Sequence, residues 1–303
     1  MTEHMEKIEM SLETQRLIAL NELASRISFS SDEREMLTQI LDFSSRILRV
    51  EGISLLLLDP EKESLSFYVA RGPKATEIEK LNISIQVGQG IAGTVCQNGK
   101  PLIVNNPTSH PKFLQSVDKK TGFKTDNLLC VPLVIKMKPW GVVEAVNKKD
   151  GNFTLSDQNF LQTIAGFLSI VLQNYKLFLQ VQETKNFFRA LLDNMPGGFI
   201  AVNREQEVVE FNGMAGRILG IAPSGIRNRP LRDFPPLYAP LAKILSETLT
   251  KELIQNRLIL ECQKSNGEKI ILGYGTIVIK DDTGTVIGAG LIFQDLNKIK
   301  GLP

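Results

Sequence analysis

Leu128-Leu129-Cys130-Val131-Pro132-Leu133-Val134-Ile135 and Gly141-Val142-Val143-Glu144-Ala145-Val146, joined across Lys136 to Trp140 and followed by Asn147-Lys148, form the stretch on which the reading of this chain turns. Two short runs rich in β-branched residues, separated by only a few positions, make an antiparallel strand pair. Directly behind them, Thr154 to Asp157 supplies N-cap chemistry for a helix. That helix meets no glycine after Gly166 and no proline before Pro196, so it continues to about Met195. A strand pair that feeds a helix of this length fixes the centre of one domain and the route to the next.

Working back from that pair, Ile8 to Ile27 and Glu33 to Leu48 carry apolar residues at helical spacing, with Ser30-Ser31-Asp32 as turn and cap between them. Gly52 to Leu58 and Ser64 to Ala70 read as a hairpin around Asp59-Pro60-Glu61-Lys62. Ile83 to Val87 alternates with a period of two. Gly88 to Gly93 then breaks the strand and opens a short helix through Val95, and Lys100 to Asn105 is another strand.

Working forward, Leu161, Leu168, Tyr175 and Gln182 fall seven apart, with Ile164, Val171 and Phe178 offset by three, which is heptad-like. A helix of this length spans on the order of 55 Å, more than one small domain covers, so part of the stripe is expected to meet a sheet and part a second chain. Pro196-Gly197-Gly198 ends it. After it come strands at Gly198 to Asn203 and Glu207 to Phe211, and helices at Met214 to Leu219 and Leu241 to Lys251. Strands at Arg257 to Gln263, Lys269 to Lys280 and Val286 to Asp295 close the unit, with Ser265-Asn266-Gly267 as the first turn between them. The fold class is therefore α+β: two domains, each a central antiparallel sheet flanked by helices, joined by a long helix. The expected divisions are residues 1–175, 158–195 for the connecting helix, and 196–303.

Composition narrows the functions. With 35 basic against 33 acidic residues in 303, no field of one sign exists to draw nucleic acid. The apolar stretch Phe160 to Leu179 is interrupted by Gln162, Gln173, Asn174 and Lys176, at a cost on the order of several kcal/mol in a bilayer, so no membrane span is expected. The polar N-terminus lacks the apolar core of a secretion signal, and the expected compartment is cytoplasmic. Three separated cysteines and two histidines form no metal set, no Ser-His-Asp or Cys-His arrangement and no phosphate loop, so no catalytic residues are assigned. Gly88-Gln89-Gly90-Ile91-Ala92-Gly93 has the spacing of a dinucleotide fingerprint, but it follows an alternating strand outside any βαβ unit.

Three segments carry a resemblance to a known family: Gly90-Ile91-Ala92-Gly93-Thr94-Val95, Thr121 to Pro132, and Asn147-Lys148 with Phe153 and Asp157. Across about Leu17 to Gln173 the chain resembles a GAF domain of the kind found in cyclic-nucleotide phosphodiesterases and sensor kinases, with Gln158 where that family has Glu. Across Gly198 to Asn297 it resembles a PAS domain, with Asn212 after the second strand and Asp295-Leu296-Asn297 at its terminus. The resemblance implies a sensory signal-transduction module with ligand contacts at Ser54, Ile91, Ala92, Leu114, Thr121, Thr125 and Glu144. It implies support of the pocket by Asn147, Lys148, Phe153 and Asp157. Leu114 stands where an aromatic stacking partner is often found, and Ala70-Arg71 where some relatives have Phe-Asp.

The ligand so implied is a small molecule of the cyclic-nucleotide class, cAMP or cGMP, and no other cofactor is assigned. The PAS unit has no histidine, which removes the usual haem ligand. The expected partners are a second copy of the chain and an output domain or partner such as a histidine kinase or transcriptional activator; neither direct nucleic-acid contact nor membrane is expected. PAS domains usually run on into an output helix, so a sequence ending soon after Asp295 is expected of a sensory fragment or truncated product. A ligand-free dimerisation scaffold is the competing reading, as is an enzyme whose site is not visible in the sequence. A scaffold would have bulky apolar side chains filling the pocket.

Overall fold

The computed structural model describes Thr14, Arg16 and residues 32–222, 225–264 and 267–298. The helix expected over Ile8 to Ile27 lies outside these residues except for Thr14 and Arg16, both helical, and so does most of the turn at Ser265-Asn266-Gly267. The chain forms two compact units, residues 1–179 and 180–303.

The first unit is built from α1 (Glu33–Leu48), β1 (Val50–Asp59), β2 (Ser64–Arg71), α2 (Ala75–Lys80), β3 (Ser84–Gln86), α3 (Gly90–Asn98), β4 (Leu102–Val104), α4 (Gln115–Thr121), β5 (Leu128–Ile135) and β6 (Lys138–Lys148). The start of α5 (Leu155–Asn194) completes it. Its sheet runs β3-β2-β1-β6-β5-β4, antiparallel throughout. Alternation along each strand sends side chains to opposite faces. Leu55, Val131, Val143 and Ala145 face one core, packed by Leu37, Ile40 and Leu41 of α1 and by Leu161, Ile164 and Leu168 of α5. Leu56, Leu128, Cys130 and Val142 face the other side, where α3 packs with Ile91, Ala92, Val95 and Cys96.

The hairpin β5-β6 turns more tightly than the sequence implies. Lys136 and Met137 both adopt positive φ, 49° and 63°, and strand pairing resumes at Lys138. Consecutive left-handed residues match the twist of the flanking strands, so the ladder closes across two residues. Two short helices, α2 and α4, stand where the sequence shows no helical periodicity, because six or seven mostly polar residues give the pattern too little length.

α5 starts in a reciprocal cap: the Thr154 amide donates to Asp157 Oδ2 at 2.8 Å and the Asp157 amide donates to Thr154 Oγ1 at 3.3 Å. By length and composition this helix is long and apolar enough to cross a membrane. Its first half is nevertheless a core helix, with Phe160, Leu161, Ile164, Leu168 and Val171 buried against the sheet. Four members of the heptad-like stripe, Leu161, Ile164, Leu168 and Val171, are therefore committed within the chain. A different line, Ile170, Leu177, Val181, Phe188 and Leu191, is exposed.

The second unit contains β7 (Gly198–Asn203), β8 (Val208–Phe211), α6 (Gly213–Leu219), α7 (Ala239–Lys251), β9 (Leu258–Gln263), β10 (Lys269–Lys280) and β11 (Val286–Asp295). Its antiparallel sheet runs β8-β7-β11-β10-β9. Leu241 and Leu245 of α7 pack with Leu272, Leu291 and Phe293 in its core. Asn212 is fully buried at the join of this unit. Its carbonyl accepts from the Phe199 and Ala215 amides at 2.9 and 2.8 Å, and its amide donates to the Leu192 and Gly197 carbonyls at 2.8 and 3.0 Å. One side chain so ties β7, α6 and the last turn of α5 together, which is why the position requires a group with paired donors and acceptors.

Candidate functional site

A cavity lies on the α3 side of the first sheet. Strand register builds its floor. Ser54 on β1 and Cys130 on β5 lie opposite Glu144 on β6, and Gly52 and Leu128 lie opposite Val146. The same alternation that buries Val143 and Ala145 on the far face points Glu144 and Val146 into the cavity. Ile91 and Ala92 enter from the first turn of α3, Leu114 and Val117 from the start of α4, and Phe67 from β2. All seven residues to which the resemblance assigns ligand contacts, Ser54, Ile91, Ala92, Leu114, Thr121, Thr125 and Glu144, border this one space.

The space measures about 820 Å³ with its mouth counted, of which about 80 Å³ is open to the centres of water-sized molecules. A single water needs only about 10–15 Å³ on that second measure, so the cavity is narrow but not filled. At Gly90 φ is +66° and a Cβ would sit 2.5 Å from Leu114 Cδ1. A side chain there would be strained and would strike Leu114, so glycine leaves the space between α3 and α4.

Polar groups divide into those committed within the chain and those left open. Thr121 Oγ1 donates to the Val117 carbonyl at 2.9 Å. The Thr125 amide and hydroxyl donate to the two oxygens of Asp118 at 2.9 and 2.8 Å. Both threonines hold the α4 wall in shape, which their residue types alone do not reveal. Arg71 and Lys74 at the rim pair outward, with Asp42 at 2.6 Å and Glu77 at 3.5 Å. Glu144 makes no hydrogen bond to any described residue. Burial, with the charge of Asp118 as a second cause, pushes its carboxyl up to about 7.

The supporting residues lie beside this cavity. Asn147, at φ +56°, donates to Glu51 at 2.9 Å and to the Lys124 carbonyl at 2.8 Å, and accepts from the Asp126 amide at 2.8 Å. It thereby pins the loop that carries Thr125 to the edge of β1. Phe153 is a core residue whose backbone is held by Asn105. Lys148 pairs with Asp157, and Asp157 is also bonded by Arg16 at 2.6 Å. Arg16 in turn donates to Ser156 Oγ at 2.6 Å and lies 5.4 Å from the centre of the Phe160 ring. Burial pushes the Asp157 carboxyl up, but hydrogen bonds from Lys148, Thr154 and Arg16 outweigh it and hold the group below its ordinary value. Asp118 and Arg16 are the functional neighbours that sequence reasoning did not name: the first sits in a polar segment without pattern, the second more than a hundred residues from its partner.

Cys96, Cys130 and Cys262 are free and buried. Among the described residues no group of His, Cys, Asp or Glu is placed to hold a metal ion.

The class of protein follows from two antiparallel α+β units, the first with a cavity between its sheet and two short helices, taken with the family models that they match. Residues 30–173 match the family model of the GAF domain and residues 186–296 that of the PAS fold. The chain is a GAF domain followed by a PAS domain. Both are regulatory modules of signal-transduction proteins. A probable 3',5'-cyclic phosphodiesterase of Caenorhabditis elegans is 27% identical over 76% of this chain and 33% of its own length. A dual 3',5'-cyclic-AMP and -GMP phosphodiesterase of Takifugu rubripes is 27% identical over 50% of this chain and 19% of its own. The chain thus spans a third or less of these relatives. Among solved structures, the Escherichia coli DhaR(N)–DhaL complex aligns over 86% of this chain and 85% of that one, with TM-score 0.51 and 16% identity. The GAF domain of an Acinetobacter phosphoenolpyruvate-protein phosphotransferase aligns over 55% and 98%, with TM-score 0.47 and 21% identity.

Proposed function

We propose that the chain is a non-catalytic, cytoplasmic input module that binds a small molecule of the cyclic-nucleotide class in its GAF cavity. A homodimer relays occupancy through α5 to the PAS unit and on to an output domain or partner of histidine-kinase or activator type. In this reading residues 1–175 sense, 158–195 connect and 196–303 receive. The observation that carries it is the convergence of Ser54, Ile91, Ala92, Leu114, Thr121, Thr125 and Glu144 on one cavity with apolar walls and an open carboxyl. Apolar walls with a few directed polar groups are what a heterocyclic ligand needs. Names of the two phosphodiesterase relatives support the ligand class.

The test is a thermal melt of the full chain with and without millimolar cAMP or cGMP. Specific binding raises stability by about 2.7 kcal/mol at a hundredfold excess over Kd. No shift with either nucleotide removes this reading. It favours the second, a ligand-free scaffold, for which the close packing of Leu114 against Gly90 in the cavity wall argues.

A further inference from the structure

From Leu177 to Leu191 every residue of α5 except Gln182 is exposed. More than half of each of Leu177, Val181, Phe188 and Leu191 is open to water, and apolar side chains gathered in this way mark a surface that another chain covers. Their spacing says what covers them. Asn174, Leu177, Val181, Thr184, Phe188 and Leu191 follow in alternating steps of three and four, a repeat that keeps one face of a helix turned to a second helix wound about it. In heptad terms Asn174, Val181 and Phe188 are a positions, and Leu177, Thr184 and Leu191 are d positions. A β-branched residue at a, leucine at d and a single asparagine at a are the choices that favour two parallel strands.

We propose that two copies of the chain pair through this face as parallel helices in register, and that Asn174 sets the register. The inference rests on the homodimer reading of α5 and states how the two helices lie. In register every seam residue meets itself. Each Asn174 amide then offers a donor and an acceptor to the other, and the two Thr184 hydroxyls do the same, so both polar layers are satisfied by the second copy alone. A shift of one heptad would bury Asn174 against Val181, which has nothing for its amide to bond. An antiparallel pair sets a positions against d positions and breaks up the layer of two amides. The flanks agree with the parallel arrangement: Lys185, the one charged residue at an e or g position between Gln173 and Phe187, faces Gln180 of the second copy, so no like charges meet. With the register fixed, one helix does not slide along the other, and a relay through the pair works by rotating or parting the helices.

The experiment is disulfide cross-linking of the full chain in three separate variants, Leu177→Cys, Leu191→Cys and, as a control on the outer side of the helix, Glu183→Cys. The native cysteines are all buried and stay in place. Under mild oxidation the Leu177→Cys and Leu191→Cys chains are both expected to form covalent dimers, and the Glu183→Cys chain to form few. An antiparallel pair brings at most one seam position against its own copy, so it cannot link at both. Cross-linking at one of the two, at neither, or equally in the control overturns the parallel register while leaving a homodimer, which light scattering on the unmutated chain measures by itself. A monomer in that measurement overturns the homodimer reading and this inference with it. Asn174→Val is expected to raise the melting temperature and to admit larger assemblies, because the polar layer sets specificity at a cost in stability; no rise in melting temperature removes Asn174 from the seam.

Discussion

Asp157 shows how much one residue holds at the start of α5. It is fully buried, caps the helix through Thr154 and faces two cations, Lys148 and Arg16. Removing its charge leaves those cations buried without a counter-ion, a change that costs about 3 kcal/mol or more. Asp157→Asn is expected to lower stability by that order in chemical denaturation, with folded secondary structure retained. Because the folded carboxyl sits below its ordinary value of 3.8, its stabilising contribution is complete above that value and is lost as pH falls through the folded value. The wild-type melting temperature should accordingly drop more steeply than that of Asp157→Asn on acidification below about pH 4. Equal slopes in the two proteins would show that Asp157 is not held by these partners.

Among the elements, α3 is placed most tightly. A Cβ at Gly93 would lie 2.3 Å from the Gln86 carbonyl of β3, a contact with backbone that no rotamer relieves. Gly93→Ala should push α3 off β3, destabilise the chain by about 1–3 kcal/mol and displace Ile91 and Ala92 from the cavity wall. A melting temperature equal to wild type would contradict that packing. The exposed line on α5, Ile170, Leu177, Val181, Phe188 and Leu191, has the alternating spacing of a coiled-coil seam, with Asn174 and Thr184 completing it. If this seam joins two chains, Leu177→Glu with Val181→Glu should give monomers in light scattering. An undisturbed dimer would place the interface elsewhere.

The elements also show where sequence was legible. β5, β7, β10 and β11 and the span of α5 follow from apolar runs bounded by turns and breakers, which are local signals. α2 and α4 were invisible because short polar helices owe their place to the sheet beside them. The stripe Leu161, Ile164, Leu168 and Val171 was visible as a stripe, but periodicity cannot say which partner it meets; the sheet takes it. Seven of the residues that border the cavity are those that the family resemblance names, whereas Asp118 and the rest of its lining carry no motif. That Thr121 and Thr125 are spent within the wall while Glu144 is left open depends on atoms brought together from distant segments.

At the scale of the whole molecule, the cavity and the exposed helix line are two features that folding alone does not require. A core could have filled the space between α3 and the sheet, and surface helices ordinarily keep isoleucine, leucine and phenylalanine covered. A sensor that binds in the first and reports through the second uses both. The most direct test of the central claim is native mass spectrometry of the intact chain, purified without added nucleotide and again after incubation with cAMP or cGMP. The account predicts a small-molecule mass, one per chain, present from the start or gained on incubation, and carried on a dimer. A bare chain mass under all of these conditions would contradict it.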